Sequence, residues 1–370
     1  MDQERIIKQF LDLVQIDSIS KEEGKVADYL VKILEELGLE VTRDDAGEKV
    51  GGETGNIIAK LAGDATKPTL LLSAHMDTVT PGRSIKPIIK EGIVYSDGET
   101  ILASDDKAGI TTILEALRLV KENDIDHGNL EVVFTIGEEV GLLGAKNLDY
   151  SLIDADFGIA FDSGGEIGTI VTQAPCQDKI NVKVIGKAAH AGMNPSAGIN
   201  AIKVASVALS SMKLGQIDED TTANIGVIKG GQATNIVPDL VELEGEARSL
   251  RVDKLDRQTK HMADIFRRAA AKFKAKVEID VERMYPAFDL SRNSQIVDIA
   301  VKAARAIEIK PLLQSTGGGS DANIFNGKGI PTINVSVGMT DVHSVDENIK
   351  IDDLLNAVKF CTSMIREAAR

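Results

Sequence analysis

"TLLLSAHMDTV", residues 69–79, runs from three leucines into a histidine and, two positions later, an aspartate. The apolar run reads as a strand buried on both faces, which belongs in a sheet covered by helices on each side. Such a core gains nothing from His75 or Asp77. Both stand where the strand leaves the sheet, and that edge is where open α/β sheets bind ligands. Side chains alternate along an extended segment, so residues 75 and 77 leave on the same side. A metal-bound imidazole usually gives its other N–H to a carboxylate, and Asp77 is spaced for that task. Taken alone, the pair also matches an ordinary hydrogen-bonded loop histidine.

Around this strand the chain alternates between helical and strand patterns. Helices are expected at 4–16, 23–38, 106–122 and 141–147, and short apolar strands at 56–61, 69–75, 130–136 and 157–162. That alternation predicts an α/β layer architecture. From "KINVKVI" (179–185) the style changes to polar–apolar alternation, the mark of a half-exposed strand. A helix near 196–213, strands at 222–228 and 241–249, a helix at 253–273 and a strand at 276–284 complete a β-α-β-β-α-β order. The α/β style then returns with a helix at 293–306, a strand at 331–337 and a helix at 351–368. The expected organisation is therefore an α/β domain, residues 1–176 and 288–370, interrupted by an inserted α+β domain, residues 177–287, with Pro175 and Pro286 at the joins.

A chain of 370 residues suits two domains. Its 57 acidic against 42 basic residues argue against nucleic acid and anionic membrane surfaces as partners, because both need clustered positive charge. No run approaches the roughly 20 apolar residues of a membrane span. The N-terminal "MDQERIIKQFLDLVQ" sets Ile6, Phe10 and Leu13 at helical spacing, which predicts an amphipathic helix and no signal peptide. The two cysteines, Cys176 and Cys361, cannot form a disulfide framework, so a cytoplasmic location is expected.

Other strand ends repeat the theme of His75. "ASDDKAG" (103–109) opens a helix on two aspartates, which could simply favour the helix dipole. "TIGEEVGLLGAK" (135–146) puts Glu138 and Glu139 in a turn after a buried strand. Neighbouring side chains do not easily aim at one atom, so one ligand and one base is the useful division. "AFDSGG" (160–165) ends a strand on Asp162, and "DVHSVDE" (341–347) carries His343. His75, Asp105, Glu139, Asp162 and His343 together make two histidines and three carboxylates. That set suits zinc, with manganese or cobalt as alternatives, and one shared carboxylate would make a two-metal site. His127 and His261 read as surface residues.

The segments "SAHMDTV", "ASDDKAG", "GEEVGLLGAK", "FDSGG", "HAGMNP", "GGQATNIVPD", "GGGSDAN" and "HSVDE" span nearly the whole chain. In their order they resemble the M20 family of co-catalytic metallopeptidases, and most closely its peptidase T-like branch. The resemblance implies a zinc-peptidase catalytic domain with a ferredoxin-like lid. It implies that Asp105 bridges two metals, that His75 and Asp162 complete one, and that Glu139 and His343 complete the other. Glu138 would be the general base, with Asp77 supporting His75 and a cis peptide between Asp105 and Asp106. From the lid, His190 would polarise the scissile carbonyl, while Asn235 and Arg248 hold a substrate carboxylate near the glycine-rich loop at Gly318.

The activity so implied is release of N-terminal residues from di- and tripeptides, with a small peptide as the ligand and a homodimer formed through the lid. A carboxypeptidase or N-acyl-amino-acid deacylase would use the same metal core. A metal-binding protein without activity would have no use for Glu138.

Overall fold

The computed structural model describes residues 1–370. They divide into two compact units, one comprising Met1–Gln173, Asp289–Ser315 and Ser320–Arg370, the other Ala174–Phe288 and Thr316–Gly319. The tetrapeptide 316–319 thus leaves the surrounding chain to join the second unit. The reason is steric: a Cβ at Gly319 would come within 2.2 Å of the Tyr285 ring, so only glycine lets this backbone lie against it.

The first unit is built on a nine-stranded sheet. Its centre is four parallel strands in the order Leu130–Thr135, Leu70–His75, Phe157–Ser163 and Thr332–Ser336. Leu70–His75 and Leu130–Thr135 are buried at every residue, as suits their mostly apolar sequences, and the one carboxylate among them, Glu131, meets Lys60 at 2.8 Å. Successive residues serve opposite faces. Leu70, Leu72, Val132 and Phe134 join the large core formed with the flanking helices, whereas Leu71 and Val133 pack with Leu148 and Phe325 on the other side. Covering helices include Gln3–Val14, which buries Ile6, Phe10 and Leu13, together with Ser104–Glu122, Gln295–Ala306 and Ile351–Ala368. Each fully buried side chain of this size stabilises the fold by about 1.5–3 kcal/mol.

The sheet is mixed. Glu40–Arg43 and Ile57–Leu61 add an antiparallel edge, and Thr169–Ala174 pairs antiparallel with Thr332–Ser336. A separate four-stranded sheet of two- and three-residue strands joins Met339–Thr340, Asn348–Lys350, Ile93–Tyr95 and Ile88–Lys90.

The second unit is a five-stranded antiparallel sheet ordered Gly215–Gln216, Thr221–Gly230, Leu240–Ser249, Cys176–Ile185 and Lys276–Tyr285. Helices Ala201–Ser211 and Val252–Phe273 cover one face, where Ile180, Val182 and Val184 meet Leu255, Met262 and Phe266. This is the expected ferredoxin-like order. The first helix starts at Ala201 and not near residue 196. Pro195–Ala197 forms a single 3-10 turn, and the Asn200 side chain caps the helix by accepting from the Lys203 N–H at 2.9 Å.

Candidate metal centre

All four central strands run the same way, so their carboxyl ends meet at one edge of the sheet. His75 is the last residue of its strand. Glu138 and Glu139 follow Leu130–Thr135, Asp162 lies near the end of Phe157–Ser163, and His343 follows Thr332–Ser336. The topology therefore gathers side chains that are up to 268 positions apart (343 − 75).

Asp105 is the hub. Its Oδ1 lies 3.0 Å from His75 Nε2, and its Oδ2 lies 3.2 Å from His343 Nε2. One carboxylate thus turns a different oxygen to each histidine, as a bridging ligand does. His343 Nε2 is also 2.9 Å from Glu139 Oε1, and His75 Nε2 is 3.9 Å from Asp162 Oδ1. A tetrahedral ion with ligand bonds of about 2.0–2.1 Å needs ligand atoms roughly 3.3 Å apart. Separations of 2.9, 3.0, 3.2 and 3.9 Å bracket that figure, so the residues fit a pair of such ions.

The electrostatics agree. Burial would lower the His75 pKa, yet hydrogen bonds to Asp105 and Asp77 raise it well above the usual value. Asp105 and Glu139 push His343 up to about 10. Burial and the Asp105 charge raise the Asp162 carboxyl, while burial and the Asp162 charge raise Glu138. Carboxylates crowded this closely call for positive charge, and divalent cations supply it.

Asp106 does a different job from its neighbour. The Asp105–Asp106 peptide bond is cis, as the resemblance implied. Asp106 Oδ1 accepts the Gly109 N–H at 3.1 Å and caps the helix, and its Oδ2 accepts the His75 backbone N–H at 3.1 Å. A Cβ at Gly109 would lie 2.3 Å from both Asp106 Oδ1 and the Phe161 carbonyl, so the helix can approach the strand this closely only at glycine.

Asp77 meets His75 with its main chain as well as its side chain. The carboxylate of Asp77 is not the nearer partner of His75 Nδ1: the backbone carbonyl of Asp77 sits at 2.9 Å and its Oδ1 at 3.4 Å. Both carboxylate oxygens are engaged by the following turn. Oδ1 accepts the Glu138 N–H at 2.9 Å, and Oδ2 accepts the Glu139 N–H at 3.2 Å and the Ser20 hydroxyl at 2.6 Å. Asp77 therefore aims the two glutamates while its carbonyl and its carboxylate both face His75 Nδ1.

Several residues that pattern reading passed over also shape the site. Glu23, fully buried, accepts the Gly137 N–H at 3.0 Å and the Lys21 N–H at 2.8 Å. Asn334 grips Asp162 twice, accepting its N–H at 3.0 Å and donating to its carbonyl at 2.8 Å. Asp321 accepts from the Thr135 hydroxyl at 2.5 Å, and burial pushes its carboxyl up to about 6. Glu347, 1% exposed, receives hydrogen bonds from four consecutive residues, 102–105. The available signal was a polar residue inside an apolar strand, as with Asn334 in "PTINVSV".

The model of peptidase family M20/M25/M40 matches residues 71–367. The chain belongs to this family. A tripeptidase from Staphylococcus aureus is 43% identical and superposes with a TM-score of 0.97, covering 100% of this chain and 99% of its own. Aminopeptidase PepT from Bacillus cereus is 43% identical with a TM-score of 0.93, and both chains are covered completely. Carboxypeptidase G2 from a Pseudomonas strain is 30% identical over 90% of this chain and 81% of its own length. This M20 chain, peptidase T-like within the family, is accordingly a metallopeptidase whose substrates are peptides. No helix in it is long and apolar enough to cross a membrane.

The remaining candidates lie in the second unit, in two groups. His190 and Asn235 stand on adjoining loops joined by the Ala191 N–H to the Asn235 carbonyl at 2.9 Å and by a bridge between His190 and Ile236. His190 Nδ1 accepts the N–H groups of Gly192 and Met193 at 3.1 and 3.0 Å, which leaves the ring proton on exposed Nε2. Arg248 is gripped by Glu246 through two bonds of 3.0 Å and donates to the Gly317 carbonyl at 3.3 Å, next to Gly318.

Proposed function

We propose that this metallopeptidase holds two zinc ions and releases the N-terminal residue of di- and tripeptides. The observation that carries the reading is Asp105, whose two oxygens face two different histidines. His75, Asp105 and Asp162 would hold one ion, and Asp105, Glu139 and His343 the other. Bound cations polarise the scissile carbonyl and acidify water.

This chain's own residues do the rest. Glu138, with its raised pKa, takes the proton of the attacking water and passes it to the leaving nitrogen, so peptide and water become an acid and an amine. The Nε2–H of His190 donates to the oxygen that gains negative charge. Asn235, together with Arg248 beside Gly318, binds the carboxylate at the far end of a short peptide. Manganese or cobalt would satisfy the same ligands. A cytoplasmic location and a homodimer formed through the second unit complete the proposal.

The second reading, a carboxypeptidase or N-acyl-amino-acid deacylase, is favoured by the 30% identity to carboxypeptidase G2. End-blocked tripeptides separate the two. A free peptide should release its first residue, one amidated at its C-terminus should do so more slowly for want of the carboxylate that Asn235 and Arg248 bind, and an N-acetylated peptide should resist. Cleavage of the N-acetylated peptide at its C-terminal bond would establish the second reading instead.

A further inference from the structure

Glu347 is buried to 1% exposure and forms no ion pair, yet every lone-pair direction of its carboxylate is used. Oε2 accepts the N–H groups of Leu102 and Ala103 at 2.8 and 2.9 Å. Oε1 accepts the Ser104 hydroxyl at 2.6 Å and the Asp105 N–H at 3.0 Å. The donors are four successive residues ending on the carboxylate that faces both histidines. Glu347 itself lies four positions after His343.

Both tethered segments hold non-glycine residues in left-handed backbone, Ala103 at φ 61° and His343 at φ 61°. Such conformations persist only where surrounding bonds impose them. The Ser104 hydroxyl and three N–H groups have no other acceptor fixing this turn, so the carboxylate sets where Asp105 points. Glu347 closes the short loop 343–347 by donating its own N–H to the Ser344 carbonyl at 3.3 Å, so the loop that carries His343 ends on the residue that holds the Asp105 turn.

We propose that Glu347 is a positioning residue for the metal centre, fastening the Asp105 turn to the His343 loop so that both ligands of one ion arrive together. This rests on the two-ion reading above. Hydrogen-bond partners that hold metal ligands in place typically alter metal affinity or activity by about 10–100-fold when replaced.

The test is zinc affinity, measured on full-length, chelator-stripped protein by competition with a chromophoric chelator, with the melting temperature of the stripped protein recorded beside it. Glu347→Gln turns an amide NH2 toward backbone donors and should weaken at least one of the two zinc sites by about 10–100-fold. Ser104→Ala removes one of the four donors while sparing the backbone. It should weaken the same site by a smaller factor, and it carries the test if Glu347→Gln does not fold. Glu131→Gln alters another buried carboxylate, which serves the Asp154 N–H near the opposite end of its strand, and should bind zinc as the unaltered protein does. Lower melting temperatures with unchanged zinc affinity in both Glu347→Gln and Ser104→Ala would mean a purely structural role and overturn the inference. If the unaltered protein bound no zinc, the two-ion reading would fail first, a result distinct from either.

Discussion

Glu138 and Glu139 share a turn and a side-chain type, yet their surroundings differ, and the proposed function gives them opposite tasks. Glu139 Oε1 is committed to His343 at 2.9 Å, whereas burial and the charge of Asp162 raise the Glu138 pKa and suit it to proton transfer. Glu138→Gln should therefore retain both metal equivalents and lose kcat by about 10²-fold or more, the range of a general acid–base group. Glu139→Gln should lose metal first, because an amide is a poorer ligand. Metal content and kcat measured on the same samples check this, and equal metal loss in both would contradict the division. The sequence already showed which residue types gather here, since the ligand candidates all stand just past apolar strands or at a helix start. It could not show which oxygen points where. Asp77 illustrates the limit: its spacing from His75 was legible, but its carboxylate turned to the 138–139 amides, a contact between segments 61 and 62 positions apart.

At the scale of elements, the turn after Leu130–Thr135 is held by side chains from outside it. Asn56 accepts from Ile136 N at 3.1 Å, Glu23 from Gly137, and Asp77 from the two glutamates. Glu23 carries a pH signature. Burial, aided by the nearby Asp77 charge, raises its pKa from 4.5 to about 7. The folded chain thus holds a proton that the unfolded chain has released, and the stability Glu23 contributes falls as pH rises from about 4.5 to 7. Glu23→Gln keeps an acceptor for Gly137 but cannot ionise. In denaturant titrations of chelated protein, the stability of this variant relative to the unaltered chain should improve between pH 5 and pH 8. A relative loss over that range would contradict the assignment. Long apolar strands and amphipathic helices were legible because their periodicity extends over whole elements. Ile88–Lys90, Ile93–Tyr95 and Leu312–Ser315 were not, since three or four residues carry no period; the first two pair with each other across residues 91–92, and Leu312–Ser315 pairs with the distant Thr169–Ala174.

For the whole molecule, the inserted unit was legible from a change in strand style, while the return of residues 316–319 to it depends on the fit of Gly319 against Tyr285. The strand Thr221–Gly230 pairs fully with Leu240–Ser249, but on its other side only residues 222 and 223 are covered. Val227 and Ile228 on this edge are 38% and 53% exposed, and the proposed homodimer would use such an unpaired edge. His190→Ala should lower kcat by about 10²–10³-fold with normal metal content, the scale of losing one oxyanion donor. If His190 serves a partner's site, mixing it with Glu138→Gln protein should restore part of the activity. A monomer in light scattering would exclude that arrangement, and unchanged kcat in His190→Ala would exclude its catalytic role. The most direct measurement of the central claim is tripeptide hydrolysis by chelator-stripped protein as zinc is returned in known equivalents. The account predicts no turnover without metal and a rise that levels off at two equivalents per chain; full activity in metal-free protein, or a plateau at one equivalent, would contradict it.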